Sequence, residues 1–177
     1  TLLLAQPQEV IDAYRFHNAI KAGDVQKVKE SIQKDIDVNF QYNGRNALHA
    51  ACKTGSAEMV ELILNAGADV NSISDEGKGL TSLQWVTWGF GMEKSVEVIR
   101  ILLEHGADPN LTPNNYKYPL FYAIENEDVE VVKLLVDNGA ILDIKNDSGQ
   151  TPLEYTQAQL SEKSAGSDSR KILEQIK

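Results

Sequence analysis

The sequence predicts an all-α solenoid in which pairs of short helices, joined through β-turn fingers, stack in about four to five repeats including the caps. Three observations predict it. First, a block recurs: Met-Val-Glu-Leu-Ile-Leu-Asn-Ala-Gly-Ala-Asp-Val-Asn (59–71) returns as Val-Ile-Arg-Ile-Leu-Leu-Glu-His-Gly-Ala-Asp-Pro-Asn (98–110) and Val-Val-Lys-Leu-Leu-Val-Asp-Asn-Gly-Ala-Ile-Leu-Asp (131–143). The leucines that anchor each copy, Leu48, Leu83, Leu120 and Leu153, are 35, 37 and 33 residues apart, and a period of this length belongs to stacked repeats. Second, each block carries apolar residues at helical spacing with charges between them, as at Val131, Val132, Leu134, Leu135 and Val136, which makes it an amphipathic helix. Third, Gly67, Gly106 and Gly139 close the blocks, where a left-handed residue ending a helix disfavours a Cβ. Two short helices cannot bury both faces alone, so neighbouring copies must stack.

Taken in order, residues 8–40 form a degenerate first copy. Phe16 lies 32 residues before Leu48, and Val38-Asn39 lies 32 before Val70-Asn71. Asp35 stands where the exit glycine belongs, and terminal repeats are commonly atypical, so this copy is read as the N-terminal cap. Residues 41–73 form a regular repeat containing Asn-Ala-Leu-His-Ala-Ala-Cys (46–52). Residues 74–112 form a repeat with four extra residues: Leu83 to Gly106 is 23 residues, where Leu48 to Gly67 and Leu120 to Gly139 are each 19. The extra residues fall near Trp88-Gly89-Phe90-Gly91-Met92, beside Trp85 and Trp88, the two tryptophans of the chain. Residues 113–145 are regular again, and Pro119 starts a helix where its missing N–H leaves no intrahelical bond unmade. Residues 146–177 repeat that start at Pro152, lose the pattern after Tyr155, and pass through a polar stretch, Ser161 to Ser169, to a short charged helix, Arg170 to Lys177, read as the C-terminal cap.

Thr151-Pro152-Leu153, Tyr118-Pro119-Leu120, Leu48-His49 and the Gly-Ala-Asp exits together resemble the ankyrin repeat over roughly residues 10–160. The resemblance implies a protein-interaction module, with the partner lying against a concave side made of the turn tips and the C-terminal ends of the first helices. Offsets from the anchor leucines place Tyr42, Asn43, Arg45, Lys78, Leu80, Asn114, Asn115, Lys117, Asp147, Ser148 and Gln150 at the tips, and Lys21, Lys53, Thr54, Trp88, Glu125 and Asn126 at the helix ends. The residues expected to bind the partner are Tyr42, Asn43, Arg45, Lys53, Lys78, Leu80, Trp88, Asn115, Lys117 and Glu125. The tip and helix-end positions hold five basic residues against two acids, in a chain of formal net charge -9. Glu58, Glu97 and Glu130 fall on the opposite, second-helix side. The expectation is a mildly basic groove with Tyr42, Leu80 and Trp88 as apolar anchors, taking an acidic or amphipathic segment of a partner. The resemblance also implies that Asn71 and Asn110 are candidates for asparaginyl hydroxylation.

Other classes are disfavoured. The acidic balance argues against nucleic acid, whose phosphates call for clustered Lys and Arg. No apolar run approaches the length of a membrane span, and Leu2-Leu3-Leu4 is too short for a signal-peptide core. One cysteine, Cys52, excludes an internal disulfide and fits a reducing compartment, cytoplasmic or nuclear. Phosphate-cradling loops, paired cysteines and His-Glu-x-x-His are missing, so no enzyme, cofactor or metal is expected. His49 and Cys52 sit three apart on one helix, the spacing of a base and a nucleophile. The resemblance instead makes His49 a turn-holding histidine and Cys52 a small side chain in a tight slot. The leading expectation is a monomeric adaptor, scaffold or inhibitor. The alternatives are a targeting or regulatory arm of a larger enzyme or channel, which a start at Thr1 permits, and a bacterial effector acting in host cytosol.

Overall fold

The computed structural model describes residues 7–75, 79–89, 96–113, 117–162 and 167–177. Ten helices are formed by them: α1 (Gln8–Lys21), α2 (Val25–Ile32), α3 (Ala47–Thr54), α4 (Ala57–Asn65), α5 (Ser82–Trp88), α6 (Val96–Glu104), α7 (Pro119–Glu125), α8 (Val129–Asp137), α9 (Pro152–Glu162) and α10 (Ser167–Gln175). Helices consecutive in sequence pack in pairs, and the first helices stack in a row, α1 on α3, α3 on α5, α5 on α7 and α7 on α9. The second helices form a parallel row, α4 on α6, α6 on α8 and α8 on α10. The core lies between the rows. Each pair contributes apolar residues to it, such as Phe16 and Val28, Leu48 and Ile63, Leu83 and Leu102, Leu120 and Leu135, with Ile172 closing the end.

Local chemistry sets the helix boundaries. Asp24, Asn46, Ser56, Thr81 and Asp128 accept backbone N–H groups at the starts of α2, α3, α4, α5 and α8, satisfying donors that have no partner inside the helix. Pro119 and Pro152 open α7 and α9 as expected. The exit glycines Gly67, Gly106 and Gly139 have φ of 92°, 85° and 86°. Asp35, in the equivalent place of the first pair, is forced to φ 57°, which strains an L-residue. Asp35→Gly is therefore expected to stabilise the fold by about 0.5–1 kcal/mol and raise the thermal midpoint by roughly 2–3 °C, measured by calorimetry.

Two features sharpen the expectations. The helices flanking the long connection are not lengthened: α5 and α6 have 7 and 9 residues, as do α7 and α8. The four additional residues thus fall between Trp88 and Val96 in the sequence, where 90–95 are outside the described residues. The final helix begins at Ser167, ahead of the Arg170 start expected from charge, and Ile172 and Ile176 are buried.

Asparagine staples join successive pairs. Asn39 Nδ2 donates to Gly67 O at 3.1 Å while its Oδ1 accepts from Asp69 N at 2.9 Å. Asn71 makes the same two bonds to Gly106 O and Asp108 N, and Asn110 makes them to Gly139 O and Ile141 N. Asp143 falls four residues after Gly139, where an asparagine would continue the series, and a carboxylate has no N–H to donate.

Candidate functional site

The finger ahead of α3 is a tight turn: Tyr42 N donates to Arg45 O at 2.8 Å and Arg45 N to Tyr42 O at 3.3 Å. Asn43 and Gly44 lie at φ 52° and 73°, the two positive angles of the turn that Asn-Gly favours. Gln41 ties this finger to the next, donating to Ile73 O at 3.1 Å and accepting from Asp75 N at 3.3 Å.

A second series of bonds fixes the fingers against the first helices. The residue after each anchor reaches the carbonyl three residues before the following anchor. His17 Nε2 lies 3.1 Å from Arg45 O, His49 Nε2 lies 3.2 Å from Leu80 O, and Gln84 Nε2 donates to Lys117 O at 3.2 Å. Gln84 also completes a capping box with Thr81. Both histidines are buried, and burial pulls their pKa below the usual value, to about 4 for His49. Their hydrogen bonds to carbonyls oppose that shift without overcoming it. At the fourth pair the position holds Phe121, which has no donor and instead meets the Tyr155 ring edge-on at 5.7 Å.

Beside this framework runs a seam of half-exposed aromatic and charged side chains. Tyr42 meets Tyr14 at 5.8 Å and His17 at 5.6 Å. The Arg45 guanidinium sits 4.8 Å over the Trp85 ring, a cation–π arrangement. Trp88 stacks obliquely, at 5.9 Å, on Tyr122, which is itself buried behind the seam. Lys117 is ion-paired with Glu125 and lies 5.5 Å from the Tyr122 ring centre, while the Tyr155 hydroxyl donates to Glu125 at 2.8 Å. Lys21, Asn43 and Lys53 are exposed, and the two lysines make no ion pair among the described residues.

Of the residues expected to bind a partner, Tyr42, Arg45, Trp88, Lys117 and Glu125 therefore join the seam, with Asn43 and Lys53 exposed beside them. Leu80 corrects the expectation. It is 1% exposed, its backbone is fixed by Ser74 and His49, and its side chain is core rather than an open anchor. Lys78, Asn114 and Asn115 lie outside the described residues. The basic groove is also uneven, because Glu125 balances Lys117. Trp85 and Tyr155, which the tip and helix-end offsets pass over, join the seam, and like the buried Tyr122 each stands two residues after its anchor leucine, a register that finds them.

The remaining chemistry is framework. The Cys52 thiol is pushed up to about 12 by burial, so it is neutral and unreactive at physiological pH. Asn71 and Asn110 have both ends of their amides engaged in the staples. Among the described residues, no group of three or more His, Cys, Asp or Glu could hold a metal ion, and no helix is long and apolar enough to cross a membrane.

A family model for ankyrin repeats, three copies long, matches residues 16–113 and again 92–163. The chain belongs to the ankyrin-repeat family. Ankyrin repeats are protein–protein interaction modules. The chain is similar to mouse ankyrin repeat domain-containing protein 40, at 30% identity over 64% of this chain and 34% of the relative. It is similar to a region of palmitoyltransferase AKR1 of Kluyveromyces lactis, at 33% identity over 55% of this chain and 13% of the relative. It is similar also to part of serine/threonine-protein kinase 12 of Arabidopsis thaliana, at 30% identity over 62% of this chain and 23% of the relative. The match thus spans about a third or less of each relative's length.

Proposed function

We propose that this ankyrin array is a non-catalytic adaptor, scaffold or inhibitor that binds a segment of another protein along the seam of fingers and first helices. The observation that carries the reading is the run of aromatic and charged groups crossing successive pairs: Tyr14 and Tyr42, then Arg45 on Trp85, then the half-exposed Trp88 backed by the buried Tyr122, then Tyr155 on Glu125. Aromatics and arginine supply most binding energy at protein interfaces, and here they are held in place before any partner arrives, which lowers the entropy lost on binding. The N-terminal half of the seam is basic through Lys21, Arg45 and Lys53, whereas Lys117 is balanced by Glu125. An acidic or amphipathic segment suits this distribution in an otherwise acidic, monomeric, intracellular chain that avoids nucleic acid.

A second reading, that the array is the targeting or regulatory arm of a larger enzyme, is favoured by the names of two relatives, a palmitoyltransferase and a protein kinase, of which similar regions form a minor part. The binding surface is the same in both readings.

The experiment is to isolate the partner from the native source by cross-linking and affinity capture, then compare variants by calorimetric titration. The double variant Lys21→Glu/Lys53→Glu, on exposed positions, is expected to weaken binding about tenfold or more with the thermal midpoint unchanged. Glu58→Lys, on the second-helix row, is expected to leave affinity as it was. Equal affinities for all three proteins would sink the proposal.

A further inference from the structure

The sequence holds two Asn-Gly pairs, Asn43-Gly44 and Asn138-Gly139. In such a pair the glycine backbone nitrogen can reach the asparagine Cγ and close an unstrained succinimide ring, and glycine has no Cβ to hinder the approach. The fold treats the two pairs oppositely. At the end of α8, Gly139 N donates to Val136 O at 3.0 Å, Asn138 Nδ2 donates to Leu134 O at 2.8 Å, and Gly139 O accepts from Asn110 Nδ2 at 3.0 Å. The attacking nitrogen, the amide under attack and the peptide beyond them are all held. In the finger ahead of α3, Asn43 is exposed, and neither its side-chain amide nor Gly44 N is hydrogen-bonded among the described residues.

The bonds that close this turn are made by the flanking Tyr42 and Arg45, so breaking the longer of them, at 3.3 Å, frees Asn43 and Gly44 to rotate without unwinding a helix. An N–H left to water also gives up its proton to hydroxide sooner than one that donates to a carbonyl. We infer that Asn43 is a site of self-modification, losing its side-chain amide to attack by Gly44 N, and that the fold protects Asn138 from the same reaction. Hydroxide removes the Gly44 N–H proton, the nitrogen bonds to Asn43 Cγ, and the Cγ–Nδ2 bond breaks, the leaving group taking a proton from water to depart as ammonia. Water then opens the ring at either carbonyl, giving aspartate or isoaspartate, with no oxidant or reductant consumed. Either product puts a carboxylate beside Arg45, which carries the one charge in the finger sequence Gln41 to Arg45. Isoaspartate also lengthens the main chain by a methylene, which a two-residue turn cannot absorb while keeping both bonds between Tyr42 and Arg45. The basic end of the seam thus loses charge as the protein ages, and the chemistry proceeds whether or not a partner binds there.

The test holds the full chain at physiological temperature in mildly alkaline buffer, digests timed samples under mildly acidic conditions that stop the reaction, and follows by mass spectrometry the conversion of amide to acid in the peptides carrying Asn43 and Asn138. Conversion is expected to be about tenfold or more faster at Asn43, a ratio that a difference of about 1.4 kcal/mol in the cost of local opening already sets, with isoaspartate among the products. In concentrated urea the two rates are expected to converge, because the dipeptide alone then governs both. Equal rates in the folded protein, or faster conversion at Asn138, overturns the inference. So does a difference that persists in urea, which would place its origin in the neighbouring sequence rather than in the fold. Conversion of Asn43 to aspartate alone overturns it as well, since direct hydrolysis by water gives no isoaspartate.

Discussion

Leu102→Ala is expected to destabilise the protein by about 3 kcal/mol, lowering its thermal midpoint by roughly 10 °C. Leu102 is fully buried on α6, the helix that packs on α4 and on α8. Truncation there removes apolar area from the middle of the second-helix row and leaves a cavity that neighbours on three helices hold open. The position matters as much as the burial. A repeat array is held by nearest-neighbour contacts alone, so a defect in the third pair weakens the junctions on both sides. Unfolding of the variant is expected to broaden into two steps, seen in circular dichroism against denaturant, as the pairs before and after the defect lose cooperativity. Ile141→Ala, at a side chain 43% exposed, is the control and is expected to shift stability by less than about 0.5 kcal/mol.

The second large effect is a loss of stability in mild acid that depends on His49. Burial lowers its pKa from 6.5 to about 4, so the folded state binds a proton less readily than the unfolded chain. The stability that this group contributes is complete above pH 6.5, falls as pH drops from there toward 4, and is gone below. From pH 7 to pH 5 the loss attributable to His49 amounts to about 2 kcal/mol. His17, shifted in the same direction, adds to it. Gln84 shows how to isolate the effect, because it makes the equivalent bond with an amide that does not titrate. His49→Gln should therefore be less stable than the parent at pH 7 and close much of that gap by pH 5, as read from urea midpoints. Parallel pH profiles for the two proteins would show that His49 remains accessible to protons in the fold.

The architecture is legible in the sequence because repetition supplies its own internal controls. Leu48, Leu83, Leu120 and Leu153 all lie on the first helices, and Gly67, Gly106 and Gly139 all occupy left-handed exits. Asp35 is legible as the degenerate member of that set for the same reason. The binding face is less legible. An offset from an anchor names a register position, but it does not say whether the side chain turns outward or is taken by a neighbour. Leu80 turns into the core, Lys117 is captured by Glu125, and Arg45 lies on Trp85 from the following pair. Each of these depends on a partner 8 to 40 residues away in the chain, which a single-repeat pattern does not encode.

The central claim, that partner binding occupies the seam of fingers and first helices, is tested most directly by hydrogen–deuterium exchange on the chain with and without its captured partner. The account predicts that binding slows exchange in the fingers around residues 42–45 and in the loop and helix segments at 81–89 and 117–126, with α4, α6 and α8 unchanged. Protection confined to α4, α6 and α8 would contradict it.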